Sequence, residues 1–400
     1  MKNILFVLNS YPGKGGIESV TNTLVDYLHN YFCVYTLSLS EIRDVPCSCG
    51  LKKSFLFPSD HAEDNIAFYN ELIERLNISV VINQGMFLHI SEIIFNQKRN
   101  KKVAVISCLH GMPMYERHLF WGMPKVKSAS PSIKFKWRVR MIFNRCREYN
   151  NLLMMFKEGY RRISAESVRT VLLCQEFIPT YCQYYGIPDN GKVIAIPNPL
   201  PQKYESAVPM RWEDRKNEIL FVGRVCAEKR VDLLLNLWKK VKRKNGWRLV
   251  IVGDGESLQE LKDLVSKRCI ENVDFRGYTA TPETYYRYAK FVVLTSRMEG
   301  FGMCLIEAMR YGVIPLVFNM SDGVKSVVEN SGGIVVKMND NGKFIRMLSA
   351  IVSGMVGDDR RVQAAYDKSM RYSIDKVGSK WVEMINEVSL LKEGEEEGSK

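Results

Sequence analysis

The chain lacks any run of the roughly 20 apolar residues that a membrane-spanning helix needs, so no segment of it is expected to cross a bilayer. Its apolar start, Met1-Lys2-Asn3-Ile4-Leu5-Phe6-Val7-Leu8, stops at Asn9 before Tyr-Pro-Gly-Lys-Gly-Gly, and reads as a buried first strand rather than a signal peptide. The 10 cysteines are scattered, and the close pair Cys47 and Cys49 has neither metal-ligand spacing nor a second Cys/His pair. That excludes a structural zinc site and points to a reduced, cytosolic chain. The Gly-x-Gly-x-x-Gly spacing of a dinucleotide site is missing after the first strand, which weakens a dehydrogenase reading. Internal repeats and long low-complexity stretches are also missing.

Acidic residues are scarce in one region. Residues 98–162 hold 16 Lys and Arg against Glu116, Glu148 and Glu158, an excess equal to the +13 of the whole chain. Within it Lys134, Lys136, Arg138, Arg140, Arg145 and Arg147 alternate with Phe135, Trp137, Val139, Met141, Ile142 and Phe143. Such a mixture suits an anionic membrane surface, and equally a solvated helix face. The charge also permits nucleic-acid phosphate contacts, but no nucleic-acid module accompanies it and no specific nucleic-acid partner is expected.

What is present is an ordinary globular composition, 46% apolar and 25% charged, over 400 residues, enough for two domains. The C-terminal half alternates β-branched runs with helical patterns, as in a doubly wound parallel sheet. Strands are expected at 219–225, 248–252, 273–277, 291–296, 313–318 and 333–336, and helices at 231–244, 258–269, 283–289, 303–311 and 324–329. The N-terminal half repeats the alternation, with strands at 4–8, 34–39, 80–83, 103–108 and 193–196, interrupted around 121–162. Three prolines in Ile196-Pro197-Asn198-Pro199-Leu200-Pro201 form a stiff connector. The expected division is 1–200, 201–373 and a final segment 374–400, whose stripe Val377, Trp381, Met384, Ile385 and Val388 marks an amphipathic helix before a solvated tail.

Candidate chemistry gathers where strands end. Glu299-Gly300-Phe301-Gly302 precedes a helix carrying Glu307. One continuous helix would set the two carboxylates about 80° apart and about 12 Å along its axis. The glycines therefore place Glu299 in a loop and Glu307 on the second helical turn, so that both can border one elongated ligand, and carboxylates accept paired hydroxyls well. Two surface glutamates beside a tight turn would show the same spacing. Arg224 and Lys229, past another strand, can converge on a diphosphate and stabilise charge on a leaving group, or sit in a solvated loop. Gly15 and Gly16, after the first strand, can hold a phosphate, admit an acceptor or simply make a turn. His110 follows the strand at 103–108, a cleft position that a structural histidine can equally occupy. Gly253 and Gly277-Tyr278 lie along the same rim, where they can cradle a nucleoside.

Together these residues resemble the retaining glycosyltransferases of family 4, most closely from Asn217 to Val336, where GRVCAEKR, VGDGE, FRGY, SRMEGFGMCLIEAMRYGVIPLV and NSGGIVV occur in the family's order. The resemblance implies an α/β fold of GT-B architecture: two facing Rossmann-like doubly wound domains with an interdomain cleft, acceptor in the first and nucleotide-sugar in the second, the final helix crossing back. It implies Arg224 and Lys229 on the donor diphosphate, Glu307 on the ribose, Glu299 on the transferred sugar, and backbone amides from Gly300, Phe301 and Gly302. Gly15 and Gly16 match the loop that meets donor phosphate and acceptor, and His110 the histidine near the reacting sugar. Asp322-Gly323-Val324-Lys325 departs from the Gly-Pro-Glu-like turn of many relatives.

The expected activity is therefore retaining transfer from a nucleotide-sugar co-substrate, a UDP- or GDP-sugar, to a saccharide or lipid-linked saccharide, in bacterial surface polysaccharide or lipopolysaccharide synthesis. No prosthetic group is expected, and no metal, since no Asp-x-Asp motif offers to hold Mg²⁺ beside a diphosphate. The expected location is cytoplasmic, with a peripheral position on the inner membrane face left open. A nucleotide-sugar epimerase or hydrolase of similar fold is the alternative.

Overall fold

The computed structural model describes residues 1–45, 47–96, 103–117 and 135–397, with the backbone alone for 135–146 and 392–397. The chain divides into two units, residues 1–196 with 380–400, and residues 197–379. Each is built on one parallel sheet.

In the first unit, β1 (Asn3–Ser10), β2 (Cys33–Ser40), β3 (Leu51–Leu56), β4 (Ile78–Gln84), β5 (Ala104–Cys108), β6 (Arg169–Leu172) and β7 (Val193–Ala195) pair in the order β3-β2-β1-β4-β5-β6-β7. Ile4 to Leu8 are all fully buried, as a parallel strand covered on both faces requires. Register is direct, with Leu5 opposite Tyr35 on one side and Val81 on the other. Leu5, Val7, Leu37, Tyr69, Leu72, Val81, Ile90 and Ile94 form the core beneath helices Ala62–Arg75 and Leu88–Phe95. One polar chain runs through this unit: Asn83 Nδ2 donates to Ser91 Oγ at 3.0 Å and Ser107 Oγ at 3.3 Å, and Ser167 Oγ donates to Ser107 Oγ at 2.8 Å.

Two strands went unread in the sequence. β3 is an edge strand whose Lys52 and Lys53 blunt an open edge and hide the apolar alternation. β6 has only four residues. The expected interruption contains helix Phe135–Glu166; the basic residues at 98–102 and 118–134 lie outside the described residues, as do the side chains of 135–146.

In the second unit, β8 (Lys216–Val222), β9 (Arg248–Val252), β10 (Val273–Gly277), β11 (Ala289–Leu294), β12 (Ile314–Phe318) and β13 (Ile334–Val336) pair in the order β10-β9-β8-β11-β12-β13. Helix Val231–Lys239 buries Val231, Leu233, Leu234, Leu235, Leu237 and Trp238, whereas Leu258–Lys267 buries Leu261 alone. Ser321, Asp340 and Asp358 cap three later helices by accepting from backbone N–H groups. About half of the expected boundaries coincide with the observed ones and the others shift by one to three residues, except that the helix expected to reach Lys244 ends at Lys239. Helix Ile374–Glu397 buries Val377, Trp381, Met384, Ile385 and Val388, and its backbone continues through the stretch read as a polar tail.

Candidate active site

Strand order reverses once in each sheet, between β8 and β11 in the second unit and between β1 and β4 in the first. In an open parallel sheet the loops leaving such neighbours diverge above the carboxyl ends and open a crevice for ligands. The loop after β8 carries Arg224 and Lys229, and that after β11 carries Glu299 to Gly302.

These loops are fastened to one another through their backbones. Gly223 N–H donates to Val252 O at 3.0 Å, Val225 N–H to Asp254 O at 2.8 Å, Gly253 N–H to Gly277 O at 2.7 Å and Arg297 N–H to Glu228 O at 2.7 Å. Gly253 sits at φ +139°, where a Cβ would lie 1.9 Å from Gly223 O, so the approach of the β8 and β9 loops excludes any side chain.

The crevice brings Lys229 and Glu299 together: Nζ lies 2.5 Å from Glu299 Oε2, with both side chains largely buried. Burial pulls the Lys229 ammonium down, but the charge and hydrogen bond of Glu299 outweigh it and the net shift is upward. Ser321 Oγ donates to Glu299 O at 2.6 Å, holding the loop that presents the carboxylate. Gly302, left-handed at φ +75°, starts helix Met303–Arg310, which carries Glu307.

Glu307 accepts from Tyr286 Oη at 3.0 Å and from the Tyr204 hydroxyl. Burial pushes its carboxyl above the usual range, partly countered by these hydroxyls. Arg310, one turn on, donates from Nε to Tyr204 O at 3.0 Å and from Nη2 to Glu205 O at 2.6 Å, fixing the segment that supplies Tyr204. Ser321, Tyr204 and Tyr286 escaped the sequence reading because they stand outside the motifs; Tyr204 lies 103 residues before Glu307 in the chain.

Arg224 behaves differently. It is exposed and pairs with Glu256 at 3.2 Å, so the two cations engage different carboxylates rather than converging on one point. Water screens an exposed pair, and the guanidinium is readily exchanged to another anion. Cys226, Glu228 and Glu256 stand close enough to share a metal ion, but Glu256 holds Arg224 and the Cys226 thiol bonds Glu228. Phe301 is buried edge-on against Tyr372, leaving its backbone as its only polar offering, while Tyr278 is exposed beside Gly277. Cys304 lies among these charges, its thiol pushed up to about 12 by burial and by Glu299.

In the first unit, Tyr11 anchors the loop after β1 by donating to Asn22 Oδ1 at 2.5 Å. Gly15 and Gly16 then open helix Gly16–Leu28 without a side-chain cap. The Glu18 side chain crowds Gly13 and Gly15, whereas nothing lies within 4 Å of a Cβ at Gly16. His110, past β5, pairs through Nε2 with Oε1 of buried Gln84 at the end of β4.

Comparison with known proteins bears on the second unit above all. Residues 205–368 match the glycosyl transferases group 1 family. This matched region contains Arg224, Lys229, Gly253, Glu299, Glu307 and Ser321, while Tyr204 and Tyr372 lie just outside it. The amylovoran biosynthesis glycosyltransferase AmsD of Erwinia amylovora is 31% identical over 199 residues, 48% of this chain and 56% of that protein. The chain spans about half the length of the curated relatives it matches. Among solved structures, the lipopolysaccharide outer core galactosyltransferase WaaB has a TM-score of 0.70 at 17% identity, covering 98% of this chain and 99% of that one. Anabaena HepE in complex with UDP has a TM-score of 0.70 at 13% identity, covering 97% and 100%. At these identities the likeness shows the fold, the two-sheet GT-B architecture. Among the described residues, no helix is long and apolar enough to cross a membrane.

Proposed function

We propose that the chain transfers a glycosyl group from a nucleotide-sugar to a hydroxyl of a saccharide or lipid-linked saccharide, with retention at the anomeric carbon. The observation that carries this reading is the Lys229–Glu299 pair at the β8/β11 crevice, with Glu307 on the helix that follows the Glu299 loop, all inside the matched region. A cation and a carboxylate 2.5 Å apart suit a ligand that changes from phosphate to sugar hydroxyls across one bond. Glu307, oriented by two tyrosine hydroxyls, is assigned the ribose diol. Arg224 and Lys229 supply charge to the diphosphate, with Gly253, Gly277 and Tyr278 along the nucleoside and the amides of Gly300, Phe301 and Gly302 at the sugar-phosphate. Gly15, Gly16 and His110 are assigned to donor phosphate, acceptor and reacting sugar.

The bond from the anomeric carbon to the diphosphate breaks with oxocarbenium character. The acceptor oxygen bonds to that carbon from the same face, and its proton passes to the departing phosphate oxygen. Lys229 stabilises the growing phosphate charge, a preorganised contact of the kind worth about 2.7–4 kcal/mol in the transition state. We assign this stabilisation to the two cations and no divalent metal, so chelation with EDTA should leave the rate unchanged. UDP in the HepE complex, amylovoran synthesis by AmsD and the lipopolysaccharide role of WaaB favour a UDP-sugar and a bacterial surface glycan.

A panel of nucleotide-sugars read by thermal shift, followed by product analysis with and without saccharide acceptors, tests the proposal. Transfer to an acceptor is the expected result. Conversion of donor alone to a new sugar would instead establish an epimerase, and Glu307→Ala with undiminished transfer and donor affinity would remove the ribose assignment.

A further inference from the structure

In the first unit a polar cavity is lined by residues other than Gly15, Gly16 and His110. It has a volume of about 420 Å³ and opens at the carboxyl ends of β2 and β3, against helix Leu88–Phe95. That size lies within the roughly 300–1,000 Å³ of small-ligand pockets. Leu39, Phe57 and Ile93 give it apolar surface, and Asp60, His89 and Glu92 line it with polar groups.

The cavity is preformed rather than a gap between loose loops. Asn65 clasps the loop after β3 from both sides, donating from Nδ2 to Ser59 O at 2.8 Å and accepting from Ser59 N–H at 3.3 Å through Oδ1. His89 Nε2 lies 3.2 Å from Asn9 Oδ1 on β1, which orients the ring and assigns the Nε2 proton. Partial burial lowers the imidazole's pKa, which favours the neutral ring with Nδ1 as an acceptor. Among the described residues that line it there is no lysine or arginine, although Arg162 on helix Phe135–Glu166 acts on Glu92 from outside the cavity.

Two carboxylates and a neutral imidazole above an apolar floor accept hydroxyl protons, pack against the C–H face of a pyranose and repel an anion. The geometry points to this cavity as a subsite for a neutral glycosyl ring of the acceptor, remote from the hydroxyl that reacts. The inference rests on the proposed glycosyl transfer and adds the class of acceptor: an oligosaccharide whose distal ring carries no carboxylate or phosphate.

The full chain is titrated with methyl β-D-glucopyranoside, methyl N-acetyl-β-D-glucosaminide and methyl β-D-glucuronide, following the His89 ring resonances, which are assigned by their loss in His89→Asn. A neutral glycoside should shift them, and the glucuronide should leave them in place. Asp60→Asn with Glu92→Gln, both at exposed positions, should weaken the neutral glycoside about tenfold, the size of effect expected for losing charged hydrogen-bond acceptors. Silence of His89 toward both neutral glycosides, equal binding of the glucuronide, or a response to calcium chloride in place of the sugars would each overturn the subsite. Nucleotide-sugar binding in the same sample, read by thermal shift, tests the transferase reading separately, so either can fail alone.

Discussion

At the β8/β11 crevice Lys229 is braced by Glu299 and Glu307 by Tyr286 and Tyr204, while the exposed Arg224 pairs with Glu256 at the surface. At the β1/β4 crevice the corresponding loop offers Gly15 and Gly16, exposed and without a side-chain cap, and the neighbouring His110 is held by a neutral amide, Gln84. The same sheet topology thus supports a site built on a buried Lys–Glu pair in one unit and, in the other, a glycine loop flanked by Lys14 and Glu18. A diphosphate demands fixed countercharge, because orienting dipoles in advance is what makes them effective when charge develops. An incoming hydroxyl demands mainly room and a hydrogen-bond acceptor.

The largest effect expected of breaking this contrast is at Gly253. Gly253→Ala drives a Cβ into Gly223 O at a left-handed φ, and should cost about 3–5 kcal/mol of stability in denaturant unfolding, with loss of donor binding. Lys229→Met should lower kcat by about 10²–10³ while the fold persists, and a smaller loss would move the phosphate contact elsewhere. Because its folded pKa is raised, the stabilisation from Lys229 is fully present below the unfolded lysine value near 10.5 and is lost as pH climbs through the folded value. The wild-type chain should therefore show an alkaline loss of stability that Lys229→Met abolishes, measured by thermal melts across that range. Tyr286→Phe removes one of the hydroxyls on Glu307 and should raise donor Kd about three- to tenfold, as a hydrogen bond of about 1 kcal/mol implies. The smallest effect tests the open crevice: Gly16→Ala, with empty space around its Cβ, should change stability by no more than about 0.5 kcal/mol yet slow transfer, and unaltered transfer would detach this loop from the reaction.

Legibility in the sequence followed the same division. All six strands of the second sheet were readable because their β-branched runs are bounded by glycines at loops that must approach closely, and the carboxylate on its loop and the one on its helix fell where the Gly-Phe-Gly turn required. The first sheet was harder. Lys52 and Lys53 protect an edge and mask its apolar pattern, and β6 is too short to show a period. Candidate site residues read from the sequence include Lys229, Glu299, Glu307, Arg224 and His110. Those that orient them, Tyr204, Tyr286, Ser321 and Gln84, carry no local signal, since a hydroxyl or amide donates equally well from any position that folding brings within 3 Å or so.

Local physics in the chain itself determined the strand and helix periods, the glycines that permit sharp loops and the order of the motifs. Only the tertiary structure decided that Lys229 faces Glu299, that Arg224 turns instead to Glu256, and that Arg310 secures Tyr204 for Glu307. The reason is distance along the chain: Lys229 and Glu299 are 70 residues apart, and only the β8/β11 strand pairing makes them neighbours.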